Sequence, residues 1–308
     1  MQRPFFSIIV PTYNRSEQLA ACLESLSRLD YPRQGFEVIV VDDGGRKLLE
    51  EVCSRFRDRL NIELMTQPHS GPAAARNTGS SRAKGEFLVF TDDDCMPKSD
   101  WLRQLEIRCL AAPEHMIGGR TFNLLQDNPF SQTSQLIVDV AYDYYNQGPG
   151  GPSFFASNNL AVPTASFHRL GGFDTRFTTA EDRDLCDRWL HRGYRLTYAP
   201  EAVVYHAHLL TLGAFWRQHF NYGRGAFRFH QVRARRGSGP FRPELRFYLH
   251  CLRAPSLKEH RCRAMLPIFL VWQIANTAGF FFELIKSRRE PTRKHIGGAV
   301  DGIKSGKR

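Results

Sequence analysis

The 308-residue chain has no CxxC pair, and its seven cysteines (Cys22, Cys53, Cys95, Cys109, Cys186, Cys251 and Cys262) are odd in number. That excludes a disulfide framework and predicts a reduced, cytosolic chain. It also has no long apolar opening segment, because Phe5-Phe6-Ser7-Ile8-Ile9-Val10 is interrupted at once by Pro11. No signal peptide is read there, and the body is expected on the cytosolic side. Internal repeats and low-complexity tracts are missing, and so is a glycine-rich phosphate loop after the first strand-like run, where Pro11-Thr12-Tyr13-Asn14 stands instead. Acidic residues are scarce at the back: residues 213–308 carry 20 basic and five acidic side chains, against 22 and 26 in the first 212. The net charge of +11 therefore splits into an acidic front and a basic back, which asks for an anionic partner at the back. With 42% apolar residues the chain can bury a full core, which excludes a disordered tail or a fibre.

What is present reads as strand alternating with helix. Runs at 5–10, 36–41, 61–65 and 86–90 are short and apolar, and the first two are rich in β-branched residues. Between the first two, Leu19, Cys22, Leu23 and Leu26 recur at helical spacing, and further helices are expected at 47–56, near 73–83 and at 101–110. This order predicts an α/β fold with a doubly wound, mostly parallel sheet, in which ligands sit beyond the C-terminal strand ends. Thr12-Tyr13-Asn14-Arg15, Asp42-Asp43-Gly44-Gly45 and Thr91-Asp92-Asp93-Asp94 fall at such ends. Gly118-Gly119 reads as a turn, followed by a loose aromatic and polar stretch to a Gly/Pro loop at 147–152. A helix whose first turn is loaded with carboxylates is expected at 181–190.

Three adjacent carboxylates repel one another and call for a positive charge among them. A divalent cation, Mg²⁺ or Mn²⁺, held by one or two carboxylates and a substrate diphosphate meets that need; a solvated acidic turn is the plainer alternative. From residue 5 to 210 the chain resembles the family 2 inverting glycosyltransferases of GT-A fold, which use nucleotide-sugar donors. The resemblance rests on Pro11-Thr12-Tyr13-Asn14-Arg15, Val41-Asp42-Asp43-Gly44, Gly71-Pro72-Ala73-Ala74-Ala75-Arg76-Asn77, Thr91-Asp92-Asp93-Asp94, Gly171-Gly172-Phe173-Asp174 and Glu181-Asp182-Arg183-Asp184-Leu185. Their order and spacing are specific where each piece alone is weak. At Gly45 the chain departs from the pattern, in which a serine often follows Asp-Asp-Gly.

The resemblance implies that Thr12, Asn14, Asp42 and Asp43 surround the donor's base and ribose, with Arg76 alongside to compensate the acidic pair. Asp92, Asp93 and Asp94 stand at the D-x-D element, with Asp94 the direct metal ligand, Asp92 a ligand nearer the ribose, and His206 completing the site with His208 as its substitute. An inverting transfer needs a base opposite the leaving group. Asp182 is assigned that role, with Glu181 as runner-up or acceptor-orienting group. Asn158 and Asn159 are read either as acceptor-site residues or as backbone caps. His250, Cys251, His260 and Cys262 match no standard zinc spacing and are read as chance.

Residues 213–236 interleave aromatic and basic side chains, a composition that serves nucleic acid or an anionic membrane surface. The apolar stretch 265–285, flanked by Arg261, Arg263, Lys286, Arg288 and Arg289, decides for the membrane and against nucleic acid. Pro267, Gln273, Asn276 and Glu283 make an interfacial helix fit better than a clean span. A helical pair packed on the catalytic part is the bland alternative. The expected organisation is a transferase domain at 1–212 and a basic, helical, membrane-associated extension at 213–308. The expected activity is a metal-dependent transfer to a glycan or lipid-linked acceptor at the cytoplasmic face, by a peripheral or monotopic enzyme. Another nucleotide-dependent transferase on the same fold, or a binding protein with a decayed site, are the competing readings.

Overall fold

The computed structural model describes residues 6–46, 49–148, 150–239, 247 and 265–289. Along the chain come β1 (Phe6–Thr12), α1 (Ser16–Leu26), β2 (Phe36–Asp42), α2 (Glu50–Ser54), β3 (Ile62–Thr66), α3 (Pro72–Ser80), β4 (Phe87–Phe90), β5 (Cys95–Pro97) and α4 (Trp101–Ala111). Then follow β6 (Met116–Asn123), α5 (Pro129–Asn146), β7 (Leu160–Pro163), α6 (Thr164–Leu170), α7 (Glu181–His191), β8 (Leu196–His206), α8 (Leu212–Arg236) and α9 (Leu266–Arg289). One eight-stranded sheet has the order β3-β2-β1-β4-β7-β6-β8-β5. The β3-β2-β1-β4 half is parallel, β7 runs antiparallel to both β4 and β6, β6 and β8 are parallel, and β5 is antiparallel to β8.

β1 and β2 are buried along their whole length, which is why they read as continuous apolar runs instead of alternating ones. One core lies under α1 and α4, where Leu19, Cys22, Leu23, Leu26, Trp101 and Leu105 pack on Phe6, Ile8 and Val10. The other face carries Ile9, Val41 and Phe90 against Ala73, Phe167, Phe173 and Trp189. A buried polar knot ties the strand starts together: Ser7 Oγ donates to Glu37 Oε1 at 2.6 Å, and the same carboxylate oxygen accepts from the Lys84 amide at 2.7 Å. Its acceptors are thus occupied, as burial demands.

Two expectations fail here. Gly118-Gly119 lies inside β6, not in a turn, and both glycines serve close approach: a Cβ on Gly118 would sit 2.0 Å from the Phe155 ring, and one on Gly119 2.4 Å from Ala202 O and Asn159. The loose stretch holds the 18-residue α5, started by Asn128 accepting from the Ser131 amide at 2.8 Å and by Pro129 in its first turn. α5 buries Ser131, Thr133 and Asn146 beside Val140 and Tyr142, so its buried face gives no apolar period to read.

The two C-terminal helices pack on one another at glycine. A Cβ on Gly223 of α8 would meet Asn276 O at 1.9 Å, and one on Gly279 of α9 would meet Phe220 O at 1.9 Å. They share a third core with α5, built from Val140, Leu210, Phe215, Met265, Phe269 and Trp272. α9 is long and apolar enough to cross a membrane by length and composition, with mean hydropathy 1.5 over its best window and 28% of that window buried. The five described cysteines are free and buried; Cys251 and Cys262, with His250 and His260, lie outside the described residues.

Candidate active site

The C-terminal ends of β1, β2 and β4 open on one crevice, and antiparallel β7 brings its own start to the same edge, since Phe90 pairs with Leu160. At the end of β1, Thr12 Oγ1 donates to Asp93 Oδ2 at 2.7 Å, so its hydroxyl is turned to the acidic run. Asn14 adopts φ 58°, a left-handed conformation asparagine tolerates, and its Oδ1 accepts from the Arg46 amide at 2.8 Å. Arg15 Nη1 lies 3.2 Å from Asp93 and 3.0 Å from Asp94. The sequence reading gave Arg15 no role, yet it is a principal cation on that run.

Asp42 Oδ1 accepts from the Gly45 amide at 2.8 Å, and a Cβ at position 45 would come within 2.8 Å of that same oxygen. The glycine is therefore what this tight turn admits. Asp43 is buried and fully engaged: Gln67 Nε2 at 2.6 Å, the amides of Ser70 and Gly71 at 2.9 and 2.8 Å, and His69 Nδ1 at 2.8 Å. It ties the loop before α3 to β2. His69 in turn stacks on Tyr13 at 4.2 Å, a half-exposed pair at the crevice mouth that the sequence reading did not single out.

Arg76 requires a correction. It was expected beside Asp42 and Asp43, but it is 4% exposed on α3 and donates to Asp92 Oδ1 at 2.7 Å and to Glu181 Oε1 at 3.0 Å. Its guanidinium also lies 5.6 Å from the Phe173 ring centre. The backbone amides around Asp42 and Asp43 already satisfy those acids, whereas Asp92 and the first turn of α7 face each other across the crevice and need a cation between them. Arg76 thus joins the strand-end carboxylates to the α7 carboxylates.

The acids differ sharply in environment. Burial pushes Asp93 up to about 6, against the pull of Arg15 and Thr12. Asp94 is also buried, but its hydrogen bond to His206 Nε2 at 3.1 Å and the charges of His206 and Arg15 outweigh burial and hold it well below the usual carboxylate range. Burial lowers His206, yet Asp94 reverses that and leaves it raised. Neighbouring His208, stacked on His206 at 5.0 Å, is driven down to about 4 by burial first and by His206 second. Asp182, at the start of α7, is raised by burial and then by Glu181; the Arg183 amide at 2.7 Å only partly offsets this. A carboxyl lifted in this way is a better proton acceptor than a free one.

Ligand atoms of Asp94, Cys95 and His206 lie within 4.8 Å of one another. A carboxylate oxygen and an imidazole nitrogen form a donor pair that Mn²⁺ or Mg²⁺ accepts, so the residues fit a divalent cation. Cys95 is the exception, because its thiol is buried in the core and raised well above its ordinary value by burial. β5 and β8 create this juxtaposition by pairing Cys95 with His206.

Asn158 and Asn159 part ways. Asn159 is fully buried and structural, with Nδ2 donating to Arg120 O at 3.0 Å and Ala202 O at 2.9 Å and Oδ1 accepting from Trp101 Nε1 at 2.9 Å. Asn158 lines a cavity of about 1310 Å³ together with Arg76, Asp92, Glu181, Asp182, His206 and His208. α5, α8 and α9 also line that cavity, with Tyr222 and Trp272 among their residues. These helix residues carry no motif, and the sequence offered no signal that they reach the site.

Four arginines of α8 are paired inside the protein: Arg233 and Arg236 with Asp184 and Asp187 of α7 at 2.5 to 3.1 Å, and Arg224 and Arg228 with the buried Glu283 at 2.8 and 2.6 Å.

Comparison with known proteins accounts for this arrangement. The chain is 28% identical over 230 residues to glycosyltransferase AglE of Haloferax volcanii, covering 72% of this chain and 73% of that one. It is 31% identical over 212 residues to the pre-mycofactocin glycosyltransferase of Mycobacterium tuberculosis, covering 67% of this chain but only 43% of that protein's length. Among solved structures, a mannosyltransferase from Pyrobaculum calidifontis, in complex with GDP-Man and Mn²⁺, superposes with TM-score 0.65 at 21% identity over 94% of this chain and 88% of that one. Staphylococcus aureus TarS 1–349, in complex with UDP-GlcNAc, gives 0.51 at 18% identity over 94% and 93%. These likenesses establish the fold, which is the GT-A type expected from the strand ends. The model described as Glycosyl transferase family 2 matches residues 7–161, and that described as Glycosyl transferase family group 2 matches 87–286. From the first strand into α9, the chain belongs to glycosyltransferase family 2, and is an inverting glycosyltransferase.

Proposed function

We propose that the chain moves a sugar from a nucleotide-sugar donor to a hydroxyl of a glycan or lipid-linked acceptor, in one displacement assisted by a divalent cation. The observation that carries this reading is the Arg76 bridge, which unites Asp92 at the strand ends with Glu181 beside Asp182 in one cavity. On this reading Thr12, Asn14, Asp42 and Asp43 shape the donor nucleotide pocket, the last two by holding its loops. Asp92 and Asp93 face the ribose and diphosphate, while Asp94, His206 and Asp92 hold Mn²⁺ or Mg²⁺. Held there, a divalent cation would supply the positive charge that offsets charge developing on the leaving nucleotide. Asp182 takes the proton of the acceptor hydroxyl, and Glu181, fixed by Arg76, orients the acceptor. Residues 1–212 supply the transferase unit and 213–308 the basic helical extension.

The extension lies on an anionic membrane surface at the cytoplasmic face, as a peripheral or monotopic element, and does not serve nucleic acid. What supports this is an apolar stripe on α9, Leu266, Leu270, Ile274, Phe281 and Ile285, each 47–62% exposed, ending at Lys286, Arg288 and Arg289. Glu283, buried between two arginines of α8, argues for lying on the bilayer rather than spanning it.

The deciding experiment is transfer or donor hydrolysis across a panel of nucleotide sugars with Mn²⁺ or Mg²⁺. Activity with at least one donor, lost on Asp182→Asn while nucleotide binding persists, is expected. An Asp182→Asn enzyme that still transfers would move the base to Glu181 or elsewhere.

A further inference from the structure

The cavity lining mixes more kinds of side chain than a donor site needs. Its lining includes Asp92, Glu181 and Asp182 and also Ile137, Val138, Trp272, Phe280 and Leu284, an apolar set from α5 and α9. Phe281 belongs both to this lining and to the exposed stripe of α9, at 54% exposure, so the apolar lining is continuous with the outer apolar face. The same lining holds two polar groups that the transfer chemistry does not use.

The first is Arg183, which lines the cavity one residue after the proposed base. Its guanidinium rests 4.8 Å from the Phe229 ring centre and 5.6 Å from that of Tyr145, with Nη2 3.4 Å from the Tyr145 hydroxyl. Unlike Arg188, Arg224, Arg228, Arg233 and Arg236, it has no carboxylate partner within ion-pair distance among the described residues. A guanidinium held on aromatic faces and left without an anion, beside a helix N-terminus, is suited to phosphate. The second is His219, which is 1% exposed on the cavity wall, with neither ring nitrogen hydrogen-bonded among the described residues. A buried imidazole without partners is costly and is satisfied by a ligand that brings a polar group to it.

We infer that the cavity takes an amphiphilic acceptor, a sugar joined through a phosphate to a long prenyl or alkyl chain, with the sugar at Asp182, the phosphate on Arg183 and the chain along α5 and α9. This rests on the glycosyltransferase reading above and narrows its acceptor to the lipid-linked class. His219 and the sugar or linkage share a hydrogen bond, and the chain leaves past Phe281 toward the apolar face of α9.

The test is a titration of the full chain with farnesyl phosphate, farnesol and inorganic phosphate in the presence of saturating nucleotide, read by tryptophan fluorescence with Trp272→Phe as the optical control. Farnesyl phosphate is expected to bind saturably, with farnesol weaker by about tenfold or more, the worth of one charge-assisted contact. Arg183→Ala is expected to erase that difference and Arg183→Lys to restore part of it. Equal affinity for farnesyl phosphate and farnesol, or an unchanged affinity in Arg183→Ala, overturns the inference. Val138→Trp, which crowds the apolar lining and leaves the Arg183 side chain in place, is expected to abolish binding of both prenyl probes; retention of both would overturn it independently. Nucleotide binding by calorimetry on the same wild-type sample separates the two readings. Nucleotide bound with farnesyl phosphate refused sinks only the lipid-linked acceptor, and the reverse leaves this site standing while counting against the donor assignment.

Discussion

Replacing Arg76 by methionine removes the cation that joins the two halves of the site while keeping most of the side-chain volume. The guanidinium is buried and holds Asp92 at 2.7 Å and Glu181 at 3.0 Å, so its loss leaves two carboxylates facing one another with nothing between them. Removing one partner of a buried ion pair costs about 3–5 kcal/mol. The Asp92 side chain is 30% exposed, so water covers part of that charge and the lower end, about 3 kcal/mol, is the reasonable expectation. The ring contact with Phe173 adds a smaller loss, on the order of 0.5–1 kcal/mol. Against a total stability of about 5–15 kcal/mol the variant should fold but unfold at clearly lower denaturant, with an unchanged m-value. A cycle with Glu181→Gln isolates the bridge. The double variant should be less damaged than the sum of the singles by about 1–3 kcal/mol, because an amide no longer needs the cation. Additive losses, or a cost below about 1 kcal/mol for Arg76→Met, would show that the bridge does not organise the site.

Four further outcomes follow from the same geometry. Asp182 is lifted to about 7 by burial and Glu181, and a base works ionised, so kcat/KM should rise with pH through about 7; a profile already flat below pH 6 would exclude Asp182. Asp182→Asn should cost about 10²–10⁴-fold in transfer, measured as single-turnover product, with nucleotide affinity little changed. EDTA should abolish transfer and Mn²⁺ or Mg²⁺ restore it, while Tm stays nearly constant, because Arg15 and His206 already compensate Asp94 without an ion; activity indifferent to EDTA would remove the metal role. Gly223→Ala should destabilise by about 1–3 kcal/mol or more in thermal unfolding, since its Cβ would meet backbone oxygen at 1.9 Å; wild-type Tm would refute the tight helix crossing.

β1, β2 and β4 were legible because each is buried on both faces and so reads as an apolar run ending in polar residues. The polar tips at Thr12, Asp42 and Asp92 then pointed to one crevice with no knowledge of packing. Illegible were the features decided across long sequence separations. Gly118 and Gly119 read as a turn because one sequence cannot show Phe155 and Asn159 pressing on them. Arg76 was near the right acids in sequence motif but faces different ones in space. Arg224, Arg228, Arg233 and Arg236 looked free for lipid because their partners, Asp184, Asp187 and Glu283, lie 46 to 59 positions away in other helices. Side-chain charge is read locally; its compensation is not.

That compensation makes the C-terminal helices part of the site. Thr179 Oγ1 donates to Asn221 O at 2.9 Å, and Gly225 leaves the room that Thr179 occupies, since a Cβ there would come within 2.3 Å of its Oγ1. The next residue, Ala180, is held at φ 70°, a conformation that an alanine adopts only when its surroundings impose it. Immediately after it come Glu181 and Asp182. α8 therefore fixes the entry to α7 and neutralises Asp184 and Asp187 within it, while α9 locks α8 through Glu283 and the paired glycines. A chain ending at Leu210 would bare Val140, Phe130 and Leu210, strip Asp187 of both its arginines and leave Asp184 with Arg188 alone, so it should aggregate or lose activity, not yield a soluble transferase core. An active, monodisperse product of that length, measured by light scattering and donor hydrolysis, would show that the basic back is a detachable anchor after all.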